Sequence, residues 1–199
     1  MKITVMVEGR TELAFKPHLI RFLRNRLDGG MPKIDFFTCE GRVYKEDKLR
    51  RTVQTLLRKG SDAVIALTDV YTGTDDFSDA TDAKQKMRTW VGQNDRFYPH
   101  AAQHDFEAWL LPFWPEIQKL AGHHRGAPSG APESVNHNKP PSKHIQELFR
   151  TGTCRNDYSK VRDAAKILEG KNLADAASKC PELQAFLNTI LTLSGAQPL

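Results

Sequence analysis

Ala63-Val64-Ile65-Ala66-Leu67-Thr68-Asp69 is a short, continuously apolar run that ends on a hydroxyl and a carboxylate. Parallel strands covered on both faces have this composition, because neither face can stay polar. Outward from it, Ile3 to Val7 is a second such run, and it too ends on an acid, Glu8. A helix from about Thr11 to Arg26 follows, with Leu13, Phe15, Leu19, Ile20, Phe22, Leu23 and Leu27 on a broad apolar face. Pro17 within it predicts an irregular first turn or a later start of the helix. Ile34 to Thr38 is a short strand, and Lys45 to Lys59 a helix stopped by Gly60. After the Ala63 run come a helix from Asp79 to Asp95, a strand from Arg96 to Ala102, and a short helix from His104 to Phe113 closed by Pro112 and Pro115. Strands alternating with helices specify an α/β parallel sheet flanked by helices.

Residues 122–141 change to Gly, Pro, Ser, His and Asn, and read as a mobile loop without regular structure. Beyond it, helices over about Lys143–Arg150, Lys160–Ile167 and Pro181–Leu193, with a turn at Leu173–Ser178, form a helical extension. The expected organisation is one domain: a core over 1–121, the loop over 122–141, and the extension over 142–199 packed on the core.

A chain of 199 residues is long enough to bury a core of ordinary size. No apolar run approaches a membrane span, and the amino terminus lacks an export-signal pattern, so a cytoplasmic location and no membrane partner are expected. Cys39, Cys154 and Cys180 are odd in number and widely spaced, which argues for free buried thiols rather than disulfides or a zinc finger. Lys plus Arg outnumber Asp plus Glu, 29 to 24. A basic surface around an acidic pocket suits a phosphodiester substrate.

The chemistry-bearing residues follow the strands. Glu8 ends a buried strand, Gly9 permits a sharp turn, and Glu12 stands four residues on, so the two can share a divalent ion. Magnesium takes carboxylate, water and phosphate oxygens. The plainer reading of Glu12 is a charge complementing the helix dipole, with Thr11 as the cap. Asp69 ends its own strand in the same way, or serves an Asx-turn. Asp75, Asp76, Asp79 and Asp82 follow it, and at most one of these is a ligand. His104 and Glu107, three apart on one helix, can reach a common pocket. Lys143 and Lys160 open or precede helices and can meet phosphate. His123 and His124 are solvated loop histidines. Dinucleotide, phosphate-loop and G-x-S-x-G motifs are absent, which excludes the enzymes built on them.

Val7-Glu-Gly-Arg-Thr-Glu12, the strand-end Asp69, His104-Asp-Phe-Glu-Ala-Trp-Leu-Leu111, Pro141-Ser-Lys-His144 and Tyr158-Ser-Lys160 together resemble a bacterial Toprim-like family of unknown function, similar to the nuclease half of overcoming-lysogenization-defect (OLD) proteins. The resemblance spans nearly the whole chain. It implies a Rossmann-like Toprim core, a Mg2+- or Mn2+-dependent nuclease acting on nucleic acid, DNA first, a separately encoded ATPase as partner, and a role in phage defence. It implies one ion on Glu8, Asp69 and either Asp75 or Asp76, a second near Glu12 and Glu107, Lys160 or Lys143 opposing phosphate charge, and Arg10 and His104 touching substrate. Where a Toprim site carries Asp-x-Asp, this chain reads Asp69-Val-Tyr71, so Asp75 or Asp76 stands in. The departure also supports a rival reading, a non-catalytic subunit of an ATPase or nucleic-acid complex. Tyr71 and Tyr158 are not expected as covalent nucleophiles.

Overall fold

The computed structural model describes residues 1–71, 75–154 and 157–199. Within them, strands β1 (Lys2–Val7), β2 (Lys33–Thr38), β3 (Ala63–Asp69) and β4 (Phe97–Ala102) pair in parallel in the order β2-β1-β3-β4. The α/β sheet predicted from the apolar runs is therefore present. Helices α1 (Arg10–Arg24), α2 (Glu46–Arg58) and α3 (Ala80–Val91) make the three crossovers. One crossover leaves β1 towards β2, and the next steps back across β1 to β3. Strand order thus reverses between β1 and β3, where an open sheet of this type leaves a crevice beyond its carboxyl ends.

Side chains alternate between two cores. Ile3, Val5, Val7, Ile65 and Leu67 face Phe15 and Leu19 of α1 and the carboxyl-terminal helices, whereas Met6, Val64 and Ala66 face Leu49, Val53 and Met87 of α2 and α3. The extension covers the α1 face as α5 (Pro141–Thr151), α6 (Lys160–Leu168), α7 (Leu173–Ala177) and α8 (Pro181–Leu193), preceded by α4 (Trp114–Ala121). Arg21 of α1 ties it down by donating to the carbonyls of Leu168 and Lys171 at 3.1 and 3.0 Å.

Several local expectations need correction. Pro17 lies inside an unbroken α1 on its exposed side, where water can satisfy the carbonyl that the ring leaves without a donor. The helix begins at Arg10 with Gly9 as cap, so Thr11 does not cap it. α3 stops at Val91, because Gly92 turns away at φ +80°. The short helix after β4 is a 3-10 helix at Phe106–Phe113 that excludes His104, whose φ of +69° turns the chain before it. Residues 122–141 contain a 3-10 turn, Pro132–Ser134, and bury Glu133 and Val135. Cys39 and Cys180 are buried thiols, but Cys154 is exposed. The glycine-containing loop expected after Asp69 falls on residues 72–74, outside the described residues. Among the described residues no helix is long and apolar enough to cross a membrane.

Candidate active site at the carboxyl edge of the sheet

Glu8 leaves β1 beside the end of β3. Its Oε1 accepts hydrogen bonds from the Thr68 hydroxyl at 2.5 Å and from the Asp69 amide at 2.9 Å. A carboxylate so placed is nearly cut off from water. Burial pushes its pKa up to about 7, against those two bonds; Glu12 raises it further and the Arg42 guanidinium lowers it. Asp69, partly open to solvent, is raised well above the ordinary range, first by burial and then by Glu8, Asp105, Glu12 and Glu107. Glu8 thus touches the Asp69 backbone at the switch point, and its charge reaches the Asp69 carboxyl.

The 3-10 helix after β4 supplies two more acids. Asp105, its cap residue, accepts from the Ser142 amide at 3.1 Å through Oδ2, while its buried Oδ1 has no hydrogen-bond partner. Burial raises its pKa, opposed by the Ser142 bond and the Lys160 charge. Glu107 is fully buried. It meets Lys160 Nζ at 3.1 Å and the Tyr158 hydroxyl at 3.4 Å. Burial and then Asp105 push it up to about 7, with Lys160 holding it down. Burial draws the Lys160 ammonium pKa down, but Glu107, Asp105 and Asp69 outweigh it and keep the lysine charged. Lys160 is thus a cation from α6 pointing into an acidic crevice made by β1, β3 and the β4 connection.

Glu12 also feeds this field, yet one of its oxygens accepts from the Gly9 amide at 3.0 Å, the bond of a helix-capping carboxylate. His104 sits at the rim, its carbonyl taking the Tyr71 amide and its ring 6.3 Å from the Tyr71 ring. Its link to the site is the left-handed turn that delivers Asp105, not the helix face expected for His104 and Glu107. Asp76 pairs with Lys45 at 2.5 Å, and Asp75 is exposed; the charges that act most on Asp69 are instead Glu8, Asp105, Glu12 and Glu107. Arg10 is exposed at the first turn of α1. Lys143 binds Gln146 at 3.2 Å on the outside of α5. Asp105 escaped the sequence reading, although it stands three residues past the end of β4, near the same sheet edge as Glu8 and Asp69. Among the described residues no three acidic, His or Cys side chains already stand in metal-holding geometry.

No curated protein matches the chain. Its fold is shared with the C-terminal region of the Burkholderia pseudomallei OLD protein, at 13% identity and a TM-score of 0.57, covering 96% of this chain and 98% of that one. The model of the family described as a domain of unknown function, DUF4276, matches residues 7–191. Glu8, Asp69, Asp105, Glu107 and Lys160 all fall within that span, and the chain belongs to this family.

Proposed function

We propose that the protein is a divalent-metal-dependent nuclease that hydrolyses phosphodiester bonds in DNA at the crevice beyond β1 and β3. The observation that carries this reading is the convergence of Asp69, Asp105 and Glu107 around one partly exposed cation, Lys160, with Glu8 held against Asp69. Four carboxylates brought together against their mutual repulsion are unfavourable unless a positive ligand offsets it. The donors are all hard oxygens, which fits magnesium or manganese, and Asp105 Oδ1 is a buried acceptor with no protein donor.

Glu8, Asp69 and Asp105 would hold the ion, Asp105 taking the place first expected for Asp75 or Asp76, with Glu12 and Glu107 beside them. Bound there, magnesium or manganese supplies Lewis-acid charge for the phosphoryl oxygens and eases ionisation of a water. Lys160 then opposes charge developing on the phosphate, while Glu107 and Tyr158 keep its ammonium in place. Thr68 and the Asp69 amide hold Glu8 in one orientation. Arg10, His104 and Lys143 lie further out, where contact with flanking phosphates is the role left to them.

Plasmid nicking with manganese tests the reading: wild-type protein should nick, and Glu8→Gln should lose at least about 100-fold in rate with its circular dichroism unchanged. Nicking that survives the substitution refutes it. A non-catalytic binding subunit, paired with an ATPase, is favoured by one observation: the Gly9–Glu12 bond and the Lys160–Glu107 pair satisfy two of the acids internally, with Tyr71 where a second aspartate would stand. Calorimetric titration with manganese separates the two, since absence of any binding heat leaves only that second reading.

A further inference from the structure

Away from the carboxylates, the outer side of α2 and the edge strand β2 enclose an open groove of about 750 Å³, walled by Phe37, Tyr44 and Leu56 and rimmed by Lys48, Arg51 and Lys59. A second hollow of about 550 Å³ shares Tyr44 and Lys48 with it and reaches Gly41. The Gly41 amide donates to the Glu8 carbonyl at 2.7 Å. The two hollows therefore form one track from the acidic crevice to the end of α2. Its length along the helix, Lys45 to Lys59, is roughly 20 Å at 1.5 Å per residue.

The charges along this track are unbalanced. Of the acids nearby, Asp47 is taken by Arg50 and Asp76 by Lys45, which leaves Glu40, at the Gly41 end beside Tyr44, against several cations. Lys48, Arg51 and Lys59 make no ion pair among the described residues, and all three are exposed. Phe37 and Tyr44 are only half-buried, with ring centroids 6.4 Å apart and edge to face. The Lys48 ammonium lies 3.8 Å from the centre of the Tyr44 ring. A cation at an exposed ring is worth only about 0.5–1 kcal/mol, so a stacking base can displace it and free it for a phosphate. Cations spaced along a groove beside open aromatic faces are the means by which proteins hold unpaired strands. A duplex keeps its bases stacked inside and cannot use the rings.

We propose that this track binds an unpaired DNA strand and feeds it to the crevice, so that the substrate carries a single-stranded segment beside the scissile bond. The proposal rests on the nuclease reading for its direction, but the groove's binding can be measured separately. With calcium in place of the activating metal, fluorescence anisotropy compares labelled oligothymidine, a duplex of equal length and oligouridine. The triple variant Lys48→Ala/Arg51→Ala/Lys59→Ala should bind oligothymidine at least about tenfold more weakly, with a salt slope shallower by about 2. Tyr44→Leu should weaken oligothymidine about fivefold or more and leave the duplex unchanged. Both variants should hydrolyse bis(p-nitrophenyl) phosphate with manganese as wild type does, because so small an ester does not reach the groove.

Undiminished oligothymidine binding by the triple variant, or loss of its small-ester hydrolysis, overturns the proposal. Tighter binding of oligouridine than of oligothymidine overturns the assignment to DNA, and a wild-type dimer that the triple variant splits gives the groove to a second copy. Failure of the wild type to hydrolyse any ester, with groove-dependent binding intact, would sink the nuclease reading alone.

Discussion

Asp105 is held by the Ser142 amide at one oxygen and bare at the other, so its charge is tolerated in the fold rather than satisfied by it. Asp105→Asn keeps an acceptor for Ser142 and removes one of the repelling charges. The metal-free variant should be more stable at neutral pH by about 1 kcal/mol, seen as a melting temperature higher by about 3 °C. Its manganese affinity should fall at least about tenfold, measured by calorimetry. Stabilisation of the apoprotein together with weaker metal binding is the pattern of a ligand; destabilisation would mark Asp105 as a purely structural group. Glu8 and Asp69 of the candidate site were legible because they stand at the ends of unmistakable strand runs. Asp105 was not, because the sequence from His104 onward has the pattern of a helix, whereas the left-handed backbone of His104 turns the chain just before Asp105.

Among the elements, the segment over 122–141 has a role its composition hides. Glu133 accepts from Trp109 Nε1 at 2.9 Å and from the Glu182 amide at 3.0 Å, with the Leu183 amide at 3.3 Å, and so caps α8 from far away in sequence. Glu133→Ala leaves a buried indole and a helix start without acceptors. It should cost about 2–4 kcal/mol, read from urea denaturation. Gly152 is equally constrained. A Cβ there would overlap the Ala121 carbonyl and stand 3.1 Å from that of Leu148, so Gly152→Ala should destabilise by about 2 kcal/mol or more in the same assay.

The four strands and the helices α1 to α3 were readable from apolar periodicity alone. Helix α4 was not, because Pro112 and Pro115 look like stops, while Pro115 in fact occupies the first turn, where a missing amide costs nothing. The Glu133 cap was unreadable for another reason: nothing local distinguishes a polar loop residue that faces water from one that faces a helix end.

For the whole molecule, the displaced acids set the pH response. Glu8 and Glu107 ionise near 7 in the fold against 4.5 unfolded, so the folded state retains protons that the unfolded chain releases. Their effect is a stability present below about 4.5 and lost as pH rises to about 7. His100 acts in the opposite sense. Buried beside Thr189 and Phe186 and held down to about 3 by burial, Lys84 and Arg88, it takes up a proton only on unfolding, and stability falls as pH drops from 6.5 towards that value. Thermal scans of metal-free protein should show melting temperature declining between about pH 5 and pH 7.5. Saturating manganese should abolish the decline, and Glu8→Gln should reduce it. A flat profile without metal would mean that neither burial nor the neighbouring carboxylates raise these acids.

Phe15, near the start of the chain, lies 6.4 Å from the ring of Phe186, near its end, and α1 is not fully covered until α6 and α8 are both in place. On the ribosome, then, the sheet waits with one side bare while the rest is made. Lys160 and the support behind Asp105 also come from this late portion. A truncated product would carry the first carboxylates without the cation that faces them, so an interrupted synthesis should yield a fragment with half a crevice and an uncovered core.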